Sequence, residues 1–340
     1  MSDADILKLA FVGCGAIARY HLNGIKEHAP EIKVTAAIDT AREKAELITA
    51  ETGAKIYTSL EEGLAEGDFD AVDLMLPHDL HESAAIQTLE AGKHLVLEKP
   101  IAPTLEACDR IFAAAKKAGT KFMVAENTQY WPEIVKAQEM IQKGIIGEVI
   151  TARAAYEMEF NDYWFKDKKP WRYDKTRTGG GIVVDGGAHW IRPLRMWMGE
   201  IDEVIGVLDY PLEEMEGESM AKAVFRFQSG KIASFEAMLA KTIMGPSTWF
   251  RITGTKGEIH IEGGLVGSII LYDADNREGK KIMEAQGYPQ SFGPELKDFA
   301  RAVLEGKPLE AGPEQAYGEL RTAIALYRSA ESGHWEKVWD

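Results

Sequence analysis

Glu98, Lys99 and Pro100 are the residues of this chain whose types and position most directly suggest chemistry. They follow the apolar run 94–97, which predicts a buried strand. Ligands of open α/β sheets bind beyond the carboxyl ends of the strands, so an ammonium group there can reach a bound cofactor and a substrate oxygen. An X–Pro bond adopts the cis form at low cost, and a fixed turn would aim the lysine. The alternative is a surface lysine in an ordinary loop between a strand and a helix.

A carboxylate and a histidine stand four residues apart at Asp185 and His189. The apolar Trp190, Leu194 and Trp197 predict a helix, and residues four apart share a helical face. A histidine that titrates near neutrality is a natural general base for an alcohol, and a neighbouring carboxylate orients it and favours its charged form. The same pair is also common in helices without any catalytic role.

A glycine-rich turn separates the first predicted strand from the first predicted helix, with the sequence Gly13-Cys14-Gly15-Ala16-Ile17-Ala18. In this pattern the first glycine allows a tight turn, the second lets a pyrophosphate approach the backbone, and the small Ala18 permits close packing of helix on strand. The helix N-terminus attracts the anion. We expect cofactor contacts at Gly13, Gly15, Ala16 and Ile17. The alternative is a glycine turn that binds nothing.

Asp39 ends the second predicted strand and is placed to accept hydrogen bonds from an adenosine ribose. Its negative charge would repel a 2′-phosphate. We therefore predict NAD as the cofactor, with NADP possible because Arg42 follows one helical turn later and softens the preference.

The elements that must position these residues fall into two patterns. Up to about Glu126, short apolar runs alternate with helical patterns, which predicts a doubly wound parallel sheet with helices on both faces. The predicted strands are residues 7–12, 34–39, 56–57, 71–76, 94–98 and 122–125. The predicted helices begin at Ile17 and Arg42 or span 81–91 and 105–118.

The rhythm changes after a helix predicted at 132–143. Strand-like runs then follow one another, and turns such as Gln228-Ser229-Gly230 indicate antiparallel pairing. These strands are predicted at 149–160, 203–208, 221–227, 232–237, 249–253, 258–261 and 269–272, and helices at 294–304 and 313–332 finish the chain. We predict an α/β domain over 1–126 and an α+β domain with a mostly antiparallel open sheet over 127–340, for substrate binding and oligomerisation.

The composition of the 340 residues, 45% apolar and 27% charged, is typical of a globular protein with room for two cores. A formal net charge of -15 without basic clusters is unfavourable for binding nucleic acid or an anionic membrane. Cys14 and Cys108 suggest neither a disulfide framework nor a metal site, and they fit a reducing cytoplasm. No leader pattern is present and no apolar run approaches the ~18 residues of a membrane span, so we expect a cytoplasmic protein.

Five motifs together make the chain resemble the Gfo/Idh/MocA oxidoreductase family, named for glucose-fructose oxidoreductase and inositol dehydrogenase. They occur in the family's order and approximate spacing over nearly the whole chain. The motifs are Gly13-x-Gly15-x-x-Ala18, Pro77-x-x-x-His81, Glu98-Lys99-Pro100, Trp171-Arg172 with Gly179-Gly180-Gly181, and Asp185-x-Gly187-x-His189.

The resemblance implies an N-terminal Rossmann domain, a C-terminal domain whose open sheet forms contacts in a homo-oligomer, and nicotinamide-dependent oxidation or reduction of sugars, cyclitols and related hydroxy compounds. It also implies that Lys99 and His189 are the catalytic pair, with Asp185 as their polar neighbour. Further cofactor contacts are assigned to Pro77, His81, Glu98, Lys99, Asn127, Trp171 and Arg172, although for His81 we favour a packing or capping role. Substrate contacts are assigned to Lys99, Tyr130, Tyr163, Asp185, His189 and Arg192.

From these assignments we expect NAD to lie across the strand ends of the first domain, with its nicotinamide facing the cleft between the domains. His189 takes the hydroxyl proton of a secondary alcohol as hydride passes to the nicotinamide, and Lys99 stabilises the charge on the same oxygen. Which of the two is the primary proton acceptor stays open. The residues expected either to form the apolar side of a sugar pocket or simply to cover the sheet are Phe160, Tyr163, Trp164, Phe165 and Trp171.

Two features depart from the family pattern. Many members have an aspartate three residues after the histidine, where this chain has Arg192 and, a turn later, Arg195. Many have an arginine after the sixth strand, where this chain has Asn127. Arg192 either contacts a substrate carboxylate or hydroxyl, or pairs with an acidic neighbour as a structural residue.

Two other functions stay open on these grounds. One is a dehydrogenase of a dihydrodiol, or of an anionic hydroxy compound held by Arg192. The other is a non-catalytic dinucleotide sensor that binds regulatory partners. Retention of Lys99, Asp185 and His189 is evidence against the sensor, which does not need a proton-transfer set.

Overall fold

A computed structural model describes residues 6–160, 170–242, 244–245, 247–263 and 267–339. The chain divides into two compact units. The first contains the described residues up to Tyr130 together with Pro289–Tyr317, and the second contains Trp131–Tyr288 together with the described residues from Gly318 onward. Among the described residues, no helix has both the length and the apolar character needed to cross a bilayer.

The first unit is built on a six-stranded parallel sheet with the strand order β3-β2-β1-β4-β5-β6. Its strands are β1 Leu7–Val12, β2 Ile32–Ile38, β3 Lys55–Tyr57, β4 Ala71–Leu74, β5 His94–Glu98 and β6 Phe122–Ala125. Its helices are α1 Ala16–His28, α2 Arg42–Thr52, α3 Leu60–Glu66, α4 His81–Glu90 and α5 Leu105–Ala118. This order is that of a Rossmann domain, which confirms the predicted fold class.

The sequence patterns explain why these elements form where they do. β4 and β6 are buried at every position, as expected for strands covered on both faces. Helix α5 is capped by the Thr104 hydroxyl, which accepts a hydrogen bond from the Ala107 amide, and it ends at Gly119 with a left-handed backbone. Helix α3 was not predicted, because seven residues are too few to show a helical period.

A helix from late in the chain completes the core of the first unit. This helix is α9, Phe292–Leu304, and its Leu296 and Phe299 are fully buried in the same core as Leu9 and Phe11 of β1. Gly24 of α1 lies where a side chain would meet the Gly293 backbone, so the absence of a side chain lets the two helices approach closely.

The second unit is built on a nine-stranded sheet with the order β14-β13-β12-β11-β7-β10-β9-β8-β15. Every neighbouring pair is antiparallel except β7 with β10, which confirms the prediction of a mostly antiparallel sheet. The strands are β7 Val149–Glu159, β8 Ile201–Asp209, β9 Met220–Phe227, β10 Ile232–Ala240, β11 Thr248–Gly254, β12 Gly257–Glu262, β13 Ser268–Asp273, β14 Lys280–Glu284 and β15 Glu336–Lys337. The sequence did not predict the two edge strands, β14 and β15.

The helices of the second unit cover one face of this sheet, as shown by strand β10. Ala233, Phe235, Ala237 and Leu239 are buried, whereas the residues that alternate with them are exposed or half-buried. The helices are α6 Pro132–Gln142, the short α7 Lys175–Thr178, α8 Ala188–Met198, and α10 Pro313–Ser332, whose first residues belong to the first unit. The assignment of residues 127–340 to substrate binding and oligomerisation stays a prediction.

Candidate active site

The glycine turn after β1 has the geometry of a pyrophosphate-binding turn. Gly13 has a φ of 87°, and a Cβ there would lie 2.3 Å from the Met75 carbonyl oxygen at the end of β4. A Cβ on Gly15 would meet nothing within 4 Å. Because Gly15 directly precedes α1, this open space lies at the amide end of a helix, where an anion is favoured. Ala16 and Ile17 form the first turn of that helix.

Asp39 is held beside the glycine turn by two backbone amides. One carboxylate oxygen accepts a hydrogen bond from the Cys14 amide at 2.8 Å, and the other accepts one from the Ala41 amide at 2.8 Å. Burial and the Asp39 charge raise the pKa of the Cys14 thiol to about 12, so it stays a neutral packing group. Arg42, the residue expected to favour NADP, pairs with Glu46 on the surface of α2.

Lys99 directly follows β5, as the sequence predicted, and the Lys99–Pro100 peptide bond is cis. Glu98 is predominantly buried, and one of its carboxylate oxygens accepts a hydrogen bond from the Lys99 amide at 3.1 Å. The other oxygen lies 3.1 Å from Nε2 of His21, whose Nδ1 lies 2.7 Å from the Asp73 carboxylate. Sequence reasoning did not identify His21, although a histidine among the apolar residues of α1 is a detectable signal.

The surroundings of His21 favour its charged form. Burial by itself lowers the pKa of the imidazole, but the charges and hydrogen bonds of Asp73 and Glu98 raise it well above its ordinary value. Burial raises the pKa of Asp73, and the charge and hydrogen bond of His21 oppose that effect. With both carboxylates ionised, both ring nitrogens of His21 donate, because ionised carboxylates only accept hydrogen bonds.

The loop after β4 contains the predicted Pro77 and His81. Pro77 begins a short turn over His78–Leu80, and the Leu80 amide donates to the Pro77 carbonyl. His81 is fully buried, with its two ring nitrogens 2.8 Å and 2.9 Å from the carbonyl oxygens of Pro100 and Leu76. Both nitrogens therefore face the protein backbone, which favours the packing role over the assigned cofactor contact.

Asn127 and Tyr130 follow β6 and are both engaged by residues at or near α9. The side-chain amide of Asn127 donates a hydrogen bond to the Ser291 hydroxyl at 2.7 Å. The Tyr130 hydroxyl donates to the Asp298 carboxylate at 2.8 Å, and the whole side chain is buried. These contacts do not support the assigned substrate contact at Tyr130, because its side-chain hydroxyl already donates a hydrogen bond to Asp298 within the first unit. The same argument weakens the cofactor contact assigned to Asn127.

In the second unit, Gly180 and Gly181 pack closely against Tyr327 and the buried Glu218. Glu218 accepts hydrogen bonds from the amides of Gly181 and Val183 and from the Tyr327 hydroxyl, at 2.9, 3.0 and 2.9 Å. A Cβ on Gly180 would lie 2.1 Å from the Tyr327 hydroxyl, and one on Gly181 would lie 2.0 Å from the Glu218 carbonyl oxygen. Close packing on Tyr327 and Glu218 therefore requires glycine at these two positions. Sequence reasoning did not identify Glu218.

Asp185 and His189 follow this glycine segment. Asp185 lies in a π-helical turn, Val183–Gly187, that leads directly into α8, so the expected single α-helix begins only at Ala188. Its carboxylate pairs with the Arg172 guanidinium at 3.0 Å, which stacks 4.4 Å from the Trp171 ring. The predicted cofactor residues Trp171 and Arg172 thus lie beside the predicted catalytic carboxylate.

His189 occupies the first turn of α8, is 7% exposed, and has its ring 6.2 Å from that of Tyr288. The next residue, Trp190, belongs to an aromatic cluster with Trp131 and Trp249. Of the aromatic residues assigned to a sugar pocket, Tyr163, Trp164 and Phe165 lie outside the described residues. Lys99 belongs to the first unit and His189 to the second.

Arg192 lies one turn beyond His189 and is buried, with its guanidinium 2.9 Å from the Glu319 carboxylate of α10. Arg195 pairs with the same carboxylate and with Glu200. Of the two alternatives for Arg192, the structure therefore favours pairing with an acidic neighbour over the assigned substrate contact. A side chain that is 3% exposed and neutralised by a carboxylate presents little of its charge to a ligand.

Comparison with known proteins identifies similarity to one family of oxidoreductases. The model of an oxidoreductase family with an NAD-binding Rossmann fold, Gfo/Idh/MocA, matches residues 7–126, and the C-terminal domain model of the same family matches residues 134–260. A 1,5-anhydro-D-fructose reductase from Ensifer adhaerens is 28% identical over 96% of this chain and 97% of its own length. A levoglucosan dehydrogenase from Pseudarthrobacter phenanthrenivorans is 26% identical over 80% of each chain.

Solved structures extend the similarity to the whole fold. The crystal structure of an oxidoreductase from Thermotoga maritima is 30% identical, covers 98% of each chain and superposes with a TM-score of 0.84. Both family models and the near full-length match lead to one conclusion. The chain belongs to the Gfo/Idh/MocA family of oxidoreductases, with an NAD-binding Rossmann fold in its first unit.

Proposed function

We propose that this protein is an NAD(H)-dependent oxidoreductase that interconverts a secondary alcohol and a ketone on a sugar, a cyclitol or a related polyhydroxylated ring. The observation that carries the proposal is the glycine turn, where Gly13 is packed against the end of β4 and the space at Gly15 is open. The reductase and the dehydrogenase named above act on carbohydrate derivatives and match this chain over most of its length.

The residues of the first unit fit a nicotinamide dinucleotide. Gly13, Gly15 and the first turn of α1 would receive the pyrophosphate, and Asp39 would accept hydrogen bonds from the adenosine ribose. When bound, this cofactor supplies or accepts the hydride.

Lys99 and His189 have separate roles in the proposal. His189 takes the hydroxyl proton of the alcohol, and Lys99 stabilises the negative charge that develops on the same oxygen. In the reverse direction His189 returns the proton to the ketone oxygen, while Lys99 stabilises the negative charge that develops on it. Asp185 is the polar neighbour of the pair, and Arg172 fixes its carboxylate.

A homo-oligomer formed through the open face of the nine-stranded sheet belongs to the same proposal. Val207 of β8, Val224 of β9 and Ile232 of β10 are 64%, 36% and 51% exposed. Ion pairs such as Lys222–Glu236 alternate with these apolar residues. A cytoplasmic location is also proposed, supported by Cys14 and Cys108, which are both free and buried.

The test is a substrate panel with absorbance of the reduced nicotinamide as the readout. Reduction of 1,5-anhydro-D-fructose and oxidation of levoglucosan, D-xylose and inositols are assayed with both nicotinamide cofactors, beside dihydrodiols and hydroxy acids. We expect turnover of a neutral polyhydroxylated ring. Turnover of only a dihydrodiol or hydroxy acid would replace the substrate class, and tight NADH binding without any turnover would favour the sensor.

Substitution of the proposed pair tests the mechanism. Lys99→Ala and His189→Ala should each lower turnover by roughly 10²-fold or more, the scale of a lost acid-base or oxyanion-stabilising group. NADH binding should survive His189→Ala. The matched controls are Lys33→Ala and His334→Ala, which remove exposed side chains of the same types. Near-normal turnover in a folded Lys99 or His189 variant would contradict the assignment.

A further inference from the structure

His21 is buried in the first unit at the meeting point of three elements. It belongs to α1, the helix that begins at the glycine turn, and its ring reaches Asp73 of β4 and Glu98 of β5. The side chains of His21 and Asp73 are fully buried, and that of Glu98 is 11% exposed. The Phe292 ring of α9 lies 5.3 Å from the imidazole ring and helps to exclude water.

The charges of this cluster make His21 the group that holds Glu98 in place. A buried carboxylate is costly unless it is paired and hydrogen-bonded, and the His21 Nε2, 3.1 Å from Glu98, provides such a partner. The acidic groups that act on the imidazole are Asp73 and Glu98 from the two strands, and Glu295 of α9 also lies within electrostatic reach of His21. Removal of the imidazole would leave the buried Asp73 and Glu98 carboxylates without this hydrogen-bonded partner.

Glu98 links His21 to the backbone of the next residue, Lys99. Its second carboxylate oxygen accepts a hydrogen bond from the Lys99 backbone amide, so both oxygens of one side chain are used. One end of the link is therefore the helix proposed to receive the cofactor pyrophosphate. The other end is the backbone from which the Lys99 side chain extends.

We propose that His21 is a positioning residue, which holds the Glu98 carboxylate and through it fixes the backbone of Lys99 relative to helix α1. The inference rests on the proposed function, in which Lys99 acts on the substrate oxygen. His21 itself contacts neither cofactor nor substrate in this account. Its contribution is to keep a reacting group in the geometry that the reaction needs.

The test compares His21→Gln with His94→Gln, a matched histidine substitution at the opposite end of β5, where the ring accepts a hydrogen bond from the Lys121 amide. The first measurement needs no substrate. Hydrogen–deuterium exchange followed by mass spectrometry should show faster uptake in residues 94–104 of His21→Gln and unchanged uptake in residues 149–159. The His94→Gln variant should show no change around Lys99.

The second measurement is kinetic and uses NADH with the best substrate of the panel. We expect kcat of His21→Gln to fall at least about tenfold, while its NADH dissociation constant stays within about twofold of that of the unmodified protein. The double variant His21→Gln/Lys99→Ala should be no slower than Lys99→Ala alone, because both changes remove one function. A merely structural histidine would give losses that multiply.

Other outcomes overturn the inference. Unchanged uptake in residues 94–104, uptake that rises throughout the chain, or multiplicative losses in the double variant would each do so. If His21→Gln does not fold, Glu98→Gln replaces it, because it keeps the side-chain shape and breaks the same link. The same changes in exchange and in kcat are then expected of Glu98→Gln. If Lys99→Ala turns over normally or the panel yields no substrate, the proposed function fails, and the exchange measurement alone decides whether His21 holds this backbone.

Discussion

Asp39 is fixed before any cofactor arrives, because each of its carboxylate oxygens already accepts a hydrogen bond from a backbone amide. This arrangement keeps a negative charge at the edge of the glycine turn. A ribose hydroxyl can donate to that carboxylate, whereas a phosphate in its place would be repelled.

We therefore expect tighter binding of NADH than of NADPH, and Asp39→Ala should narrow the difference. A lost hydrogen bond to a charged group is worth about 1.5 to 3 kcal/mol, so NADH binding should weaken by about tenfold or more. Titration calorimetry measures both cofactors, with Asp68→Ala, which removes an exposed carboxylate paired with Lys8, as the control. A preference of the unmodified protein for NADPH would refute the role of Asp39.

Arg192, unlike Asp39, is held in a buried ion pair inside the protein. Its partner is Glu319, and both side chains are 3% exposed. Breaking a buried ion pair costs about 3 to 5 kcal/mol where it leaves a charge without compensation. Arg195 still pairs with Glu319 in the variant, so we expect the lower end of this range. Arg192→Ala should thus lower the melting temperature markedly and leave the KM values of substrate and NAD nearly unchanged.

Thermal unfolding beside steady-state kinetics checks this prediction for Arg192. Arg42→Ala is the control, since its exposed pair with Glu46 is worth about 0 to 1 kcal/mol. A selective rise in the substrate KM without a loss of stability would return Arg192 to the substrate site.

At the scale of elements, the glycine turn contains two glycines with different roles. Gly13 is required by the fold, whereas Gly15 leaves room for a ligand. Gly13 needs its positive φ and has no room for a side chain beside Met75. Gly15 has neither constraint, because its φ is -80° and the space around it is open. Only the approach of a ligand would require glycine at Gly15.

Gly13→Ala should therefore lower the melting temperature, whereas Gly15→Ala should leave it nearly unchanged and weaken NADH binding by about tenfold or more, because the methyl group blocks the approach of the pyrophosphate. Thermal unfolding and calorimetric titration of the two variants measure the two effects. Unchanged NADH affinity in Gly15→Ala would argue against a pyrophosphate at this turn.

Helix α9 brings a carboxyl group into the core of the first unit. Glu295 is fully buried, and within the described structure neither of its carboxyl oxygens has a hydrogen-bond partner. Burial raises the pKa of Glu295 well above its ordinary value; His21 opposes this effect, and Glu98, Glu126 and Asp73 reinforce it. The carboxyl is therefore protonated over a range in which the unfolded chain is ionised.

The sign of the pH dependence follows from this shift. A pKa that is higher in the folded state gives stability that is complete below the unfolded value near 4.5 and is lost as the pH rises through the folded value. Glu295→Gln cannot ionise, so its melting temperature should exceed that of the unmodified protein by a margin that grows from pH 5.5 to 8.5. The exposed Glu305→Gln is the control, and a margin independent of pH would contradict the prediction.

At the scale of the whole molecule, the open face of the nine-stranded sheet is the surface we expect to join copies of the chain. Exposed apolar residues on neighbouring strands form a patch of the kind found at protein interfaces. Val224→Lys or Ile232→Glu would place an unpaired charge in that interface.

We expect an oligomer for the unmodified protein in light scattering and a shift of either variant toward the monomer. Leu47→Glu, which changes an exposed apolar residue of α2 in the first unit, should leave the mass unchanged. A monomeric unmodified protein would remove the proposed interface.

The sequence by itself determined the elements and the family. Alternation of apolar runs and helical periods is a local signal, so β1, β5, β6, α5 and most other elements were predicted within a few residues. The glycine turn and the strand-end lysine were recognisable because their chemistry depends on neighbours in the chain.

The tertiary structure decided which polar side chains already have ion-pair or hydrogen-bond partners inside the protein. Nothing near Arg192 in sequence indicates Glu319, and nothing near His21 indicates Asp73 and Glu98, because these partners lie far along the chain and are brought together by the packing of helices on sheets. Helix α9 also packs into the core of the first unit although it lies far along the chain, and nothing local in the sequence indicates this. Burial and pairing are properties of the packed chain, so they separate a structural arginine from a ligand-binding one where residue type does not.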